Sequence, residues 1–98
     1  MAIFCFYCRD GEHGKRLREL YHDAHWDYID GCKDEYAVAG LLKGKDGETV
    51  GSMLLVKADD EDRARAVFEG DPFFTGGVWQ SVRVDRFEPL FGDWAGDR

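Results

Sequence analysis

Cationic side chains are scarce in this chain: 13 Lys and Arg stand against 20 Asp and Glu, a formal net charge of −7. That deficit argues against nucleic acid as a partner, because the phosphate backbone is gripped by clustered Lys and Arg. It disfavours docking on anionic membranes for the same reason. Long apolar runs are missing too. The opening segment MAIFCFYC is much too short to span a bilayer, and it lacks the basic start and the length of a secretion signal. Cysteine is sparse and odd in number, three in all, so no disulfide framework is expected and a reducing cytoplasm is the expected location. Repeats, low-complexity tracts and linkers are absent, and 98 residues suit one domain.

What is present is apolar and aromatic. Hydrophobic residues make up 44% of the chain and aromatics 14%, enough for a core, with apolar surface left over for a partner. From Ala2 to Cys8 both alternating sets, Ile3/Cys5/Tyr7 and Phe4/Phe6/Cys8, are apolar or aromatic, the pattern of a strand covered on both faces. A helix is predicted from about Lys15 to Gly31, with Leu17, Leu20, Tyr21, Ala24 and Tyr28 forming its apolar stripe. Two strands follow, Tyr36 to Leu42 and VGSMLLVKA, joined across Asp46-Gly47 as a hairpin. Asp59 to Asp62 put acids at the start of a second helix whose buried face is Ala64, Val67 and Phe68. Val78 to Phe87 alternates as a last strand, and a short polar tail occupies 91–98 after a domain of residues 1–90.

The order β-α-β-β-α-β is ferredoxin-like, an α+β fold with an antiparallel sheet. Such a sheet carries both helices on one face. The first and third strands are apolar on both sides, so the other face needs a cover, and the simplest is a second copy, sheet to sheet.

These residues resemble the YCII-related family of small dimeric α/β-barrel proteins. The resemblance runs from Ala2 to about Leu90 and is carried by His25 within HDAHWDYI, by AGLL at Ala39 to Leu42, and by GETVGSMLLVKADDEDRARAVFEGDPFFTGGVW, where DPF followed by Gly-Val is the most recognisable mark. It implies that a His on the first helix and the Asp of the Asp-Pro motif share a cleft; carried over, these are His25 and Asp71. Two positions depart from the family. His22 stands where many relatives have Arg, and Leu41 where many have Pro. The first bears on the charge of the cleft.

Read from the residues alone, His25 lies at the margin of the helical stripe, beside Tyr21 and Tyr28. A carboxylate bonded to one imidazole nitrogen fixes its tautomer, the arrangement a general base needs. Asp71 has two readings. It begins an Asp-Pro turn, with Phe73 and Phe74 closing the core and Gly76-Gly77 turning the chain into the strand, or it also orients His25. Other constellations carry less. Cys5-x-x-Cys8 is half a zinc or redox motif, but an odd separation on a strand sends the thiols to opposite faces. His22 and His25 have i,i+3 spacing suited to one metal with Asp71, yet no third ligand is local and His22 points away from the stripe. No metal and no cofactor are expected.

The expectation is therefore a homodimer with one small-molecule cleft per subunit. His25 is its general acid or base and Asp71 the orienting carboxylate. His22, Trp26, Ser52 and Phe73 are further substrate-binding candidates, although Ser52 beside Gly51 equally suits close packing of the hairpin. With no nucleophile, phosphate loop or cofactor motif, proton transfer remains: a lyase, dehydrohalogenase or isomerase acting on a small polar or aromatic compound. The resemblance accords with this, since a dehydrochlorinase activity is assigned within the family. The competing class is a non-catalytic module that binds a metabolite or partner in the same cleft.

Overall fold

Strand alternation decides the first element. In a computed structural model describing residues 1–94, β1 spans Ala2–Asp10 and sends Phe4, Phe6 and Cys8 to one face, where all three are buried. They cluster there with Ala64, Val67 and Phe68 of the helix α3, Glu61–Glu69. Phe6 and Phe68 stack at 4.3 Å between ring centroids, the centre of the core. α3 begins at Asp60, whose carboxylate accepts a hydrogen bond from the Arg63 backbone N–H at 2.8 Å, capping an otherwise orphaned donor.

The remaining strands are β2 (Tyr36–Lys43), β3 (Thr49–Ala58) and β4 (Trp79–Phe87). β2 and β3 are joined through Asp46-Gly47. All neighbours are antiparallel, in the order β2-β3-β1-β4, so the two central strands are the apolar β1 and β3. This is the ferredoxin-like α+β arrangement. Register puts Phe6 opposite Leu54 and Cys8 opposite Ser52 on the helix side, and Cys5 opposite Leu55 and Tyr7 opposite Met53 on the other. Tyr7 is 41% exposed on that second face, whereas Leu55 is buried between Cys5 and Val38 in register.

One expected helix is two. The segment predicted as a single helix from Lys15 to Gly31 divides into α1 (Gly14–Leu20) and α2 (His22–Cys32), because Tyr21 leaves helical geometry with φ −100° and ψ 10°. The bond from Tyr21 N–H to Leu17 C=O and that from His25 N–H to Tyr21 C=O survive, so the chain bends without losing its ladder there. The bend re-aims the stripe. Leu20 and Ala24, expected inside, are exposed, and Leu17, Tyr21, His25 and Tyr28 are half-buried instead. Gly31 does not end the helix; α2 runs on to Cys32 and into a 3-10 turn at Lys33–Glu35. Of the tail expected over 91–98, residues 95–98 lie outside the described range, and Phe91 and Trp94 are exposed.

Candidate active site

A four-residue helix, α4 (Pro72–Thr75), holds the Asp-Pro motif. Asp71 is its N-cap: the extended ψ of 128° turns its carboxylate back so that Oδ1 accepts the Phe73 N–H at 2.9 Å, and Pro72 supplies the first helical position, where no N–H is needed. The same Oδ1 accepts a hydrogen bond from Nδ1 of His25, 46 residues away in sequence, at 2.8 Å. Cap and cleft partner are thus one atom, and the two readings of Asp71 describe a single arrangement.

Close approach of α2 to α4 makes this possible. Tyr21, His25 and Tyr28 form one stripe facing the connection between α3 and β4. Tyr21 lies against Gly76 and Tyr28 against Gly70, and a Cβ at either glycine would collide with the tyrosine. The Tyr28 hydroxyl donates to the Val67 carbonyl at 2.6 Å, locking the docked position. His25, midway between the tyrosines, is thereby lowered onto Asp71 and Phe73. Its ring stacks on Phe73 at 3.9 Å with 3° between planes and meets Trp26 edge-on at 5.4 Å.

Asp71 is fully buried, and its second oxygen, Oδ2, has no hydrogen-bond partner among the described residues. A buried carboxylate needs compensation, and His25 with the Phe73 N–H supplies it. Because Nδ1 points at the carboxylate, the neutral ring carries its proton there and its lone pair on Nε2. Nε2 makes no hydrogen bond within the described residues. Burial first, and neighbouring negative charge including that of Asp71 after it, raises the Tyr28, Cys32 and Tyr36 groups above their ordinary ranges.

His25 lines a cleft of about 460 Å³ between α1–α2 and the helix-side face of β2 and β3, with Arg18, His22, Trp26, Ile29, Leu41, Ser52, Phe73 and Trp79 also on its walls. That volume lies within the range of small-molecule sites, roughly 300–1,000 Å³. A more open depression on the outer side of the α1–α2 junction shares Arg18 and His22 with it but reaches neither His25 nor Asp71. Arg18 is bound as a fork to Asp10, both N–O distances being 2.8 Å, and donates to Ser52 Oγ at 2.9 Å. Its guanidinium carbon stands 5.4 Å from the Phe73 ring centroid.

The six expected site residues therefore share one cleft or its immediate support. His22 is at the mouth, mostly exposed and paired with Asp23 at 3.0 Å. Trp26 is a half-exposed wall, and Ser52 is buried beneath Arg18. Phe73 is the floor under His25, whereas Phe74, expected to close the core with it, is 37% exposed. Arg18 and Trp79 were not anticipated. Arg18 precedes His25 by seven residues, two helical turns, and that spacing was the available signal. Trp79 opens the last strand and reads as core. Cys5 and Cys8 do face apart: Cys8 is buried on the helix side, where burial pushes its thiol up to about 12, and Cys5 is half-buried on the other. Among the described residues no three His, Cys, Asp or Glu gather as a metal-binding group, and no helix is long and apolar enough to cross a membrane.

A family model for the YCII-related domain matches residues 2–88. Among solved structures the chain is similar to 5-chloro-2-hydroxyhydroquinone dehydrochlorinase (TftG) from Burkholderia phenoliruptrix AC1100, in complex with 2,5-dihydroxybenzoquinone. The identity is 26% over 88% of this chain and 93% of that one, with a TM-score of 0.77. No curated protein matches.

Proposed function

The chain belongs to the YCII-related family, and from that premise we propose that its cleft binds a small planar ring compound on which His25, oriented by Asp71, transfers a proton. The observation that carries this reading is the 2.8 Å bond from Nδ1 of a cleft-lining His25 to a fully buried carboxylate, which leaves Nε2 as the available base. Nε2 takes a proton from a ring hydroxyl or carbon. The electron pair left behind enters the ring and either expels an anionic leaving group, an elimination, or takes the proton back at another carbon, an isomerisation. Trp26 and Trp79 offer flat apolar walls for such a ring. The similarity to a dehydrochlorinase holding a dihydroxybenzoquinone supports the same substrate shape.

The test is a panel of hydroxylated hydroquinones and quinones, with halogenated members, screened by thermal shift and by ultraviolet absorbance change. Wild type is expected to be stabilised by members of the panel and to convert at least one, with conversion lost in His25→Ala. If no ring compound shifts wild type, the reading falls. Binding without conversion by wild type, and unaffected by His25→Ala, selects the non-catalytic module instead.

We further propose that a second copy covers the sheet face bearing Cys5, Tyr7 and Met53, because the helices pack on the opposite face. Phe4 and Leu54, both nearly fully buried on the helix side, belong to the core rather than to this face. A charge at either is expected to unfold the domain, whereas Tyr7→Glu is expected to give a folded monomer by light scattering. A wild-type mass near 11.2 kDa at every concentration counts against the dimer.

A further inference from the structure

Resting on the ring-binding reading, we propose that Arg18 and Ser52 form the oxygen-binding corner of the cleft, so that its ligand class is a small ring bearing a carbonyl or ionised hydroxyl oxygen. A guanidinium has five N–H groups and no acceptor. In Arg18 the Nε proton goes to Asp10 Oδ2, and the two Nη2 protons go to Asp10 Oδ1 and Ser52 Oγ. Both Nη1 protons are unspent among the described residues. Ser52 accepts from Arg18 and so keeps its own hydroxyl proton to give, yet the residue is only 5% exposed.

Two pinned donors with unspent protons thus stand side by side in a concave wall. The fork on Asp10, whose side chain is 9% exposed against 15% for Arg18, holds the guanidinium where a flexible ammonium would wander. A corner with three unspent N–H and O–H protons, one of its two members a cation, favours an acceptor oxygen. Phe73 links this corner to the base: Arg18 stands over its ring and His25 stacks on the same ring. When His25 withdraws a proton, the negative charge that develops on a conjugated oxygen of the ligand meets donors already in place, and it is this charge that such groups stabilise best.

The probe is 2,5-dihydroxybenzoquinone, a vinylogous acid that is ionised at neutral pH, with hydroquinone as the un-ionised comparator. Binding is followed by quenching of tryptophan fluorescence. Removing Arg18 alone would strand a buried carboxylate, so the principal variant is Arg18→Met combined with Asp10→Asn, and circular dichroism reports its fold. Wild type is expected to prefer the dihydroxybenzoquinone. The double variant is expected to bind it about 10- to 100-fold more weakly, the range for a lost hydrogen bond to a charged group, and to lose the preference over hydroquinone. Ser52→Ala is expected to weaken it in the same direction, and it alone decides the matter if the double variant does not fold. Unchanged affinity in these variants overturns the corner while leaving ring binding intact. Wild type that binds neither compound overturns the ring-binding reading itself, and the corner with it.

Discussion

Removing the His25 ring tests whether Asp71 is held as a buried carboxylate. In His25→Ala the Oδ1 atom keeps only the Phe73 N–H, and Oδ2 has no partner among the described residues. The lost bond to a charged group is worth about 1.5–3 kcal/mol, and the lost stack on Phe73 about 0.5–1.5 kcal/mol. Together these approach the roughly 3–5 kcal/mol typical of stranding one member of a buried pair. For a domain of this size about 4 kcal/mol corresponds to a fall in Tm on the order of 20 °C. Asp71→Asn keeps the cap on Phe73 and the shape, and is expected to cost about 1–2 kcal/mol, since a neutral acceptor replaces the carboxylate. In Asp71→Asn no charge is stranded when His25 is then removed, so the double variant is less destabilised than the sum of the single ones. Urea unfolding followed by tryptophan fluorescence gives all three values, with the m-value checking that the transition stays two-state. If His25→Ala costs under about 1 kcal/mol and the cycle is additive within about 0.5 kcal/mol, the 2.8 Å contact is not an energetic pair and the orienting role of Asp71 fails.

Gly76→Ala drives a Cβ into the Tyr21 ring and should lower stability by about 1–3 kcal/mol, the usual cost of overpacking; unfolding curves unchanged from wild type would show that α2 docks less closely than described. Phe73→Leu keeps the apolar floor but removes the stack beneath His25 and the platform beneath Arg18, so conversion of any ring substrate should fall more than stability does, as steady-state rates and Tm together would show. Cys8 has its thiol raised from 9.0 to about 12 in the folded chain by burial, so the stability this contributes is complete below pH 9 and is lost as pH rises towards 12. Cys8→Ala should therefore show a shallower fall in Tm over that alkaline window, measured under reducing conditions; an unchanged slope would mean that the thiol does not drive it.

Much of the chain's organisation is written in its local patterns. Short apolar runs at Ala2 to Cys8 and VGSMLLVKA, the Asp-Gly connection between the two middle strands, and acids ahead of Ala64, Val67 and Phe68 point to the β-α-β-β-α-β order, because side-chain period and turn chemistry act over a few residues. The Asp-Pro-Phe motif also declared its turn, since turn chemistry depends only on neighbours; that the turn is a short helix capped by Asp71 came from the structure. What local pattern does not contain is which distant residues meet. The break at Tyr21 arises where the stripe must dock on Gly70 and Gly76, and a periodicity count run straight through it left Leu20 and Ala24 inside. His25 and Asp71 are 46 residues apart, and their 2.8 Å bond exists only because two tyrosines settle against two glycines on another element. Arg18 was not among the residues that local pattern singled out. Its fork on Asp10 and its bond to Ser52 draw on β1 and β3 at once, so its place in the cleft was decided by tertiary packing alone.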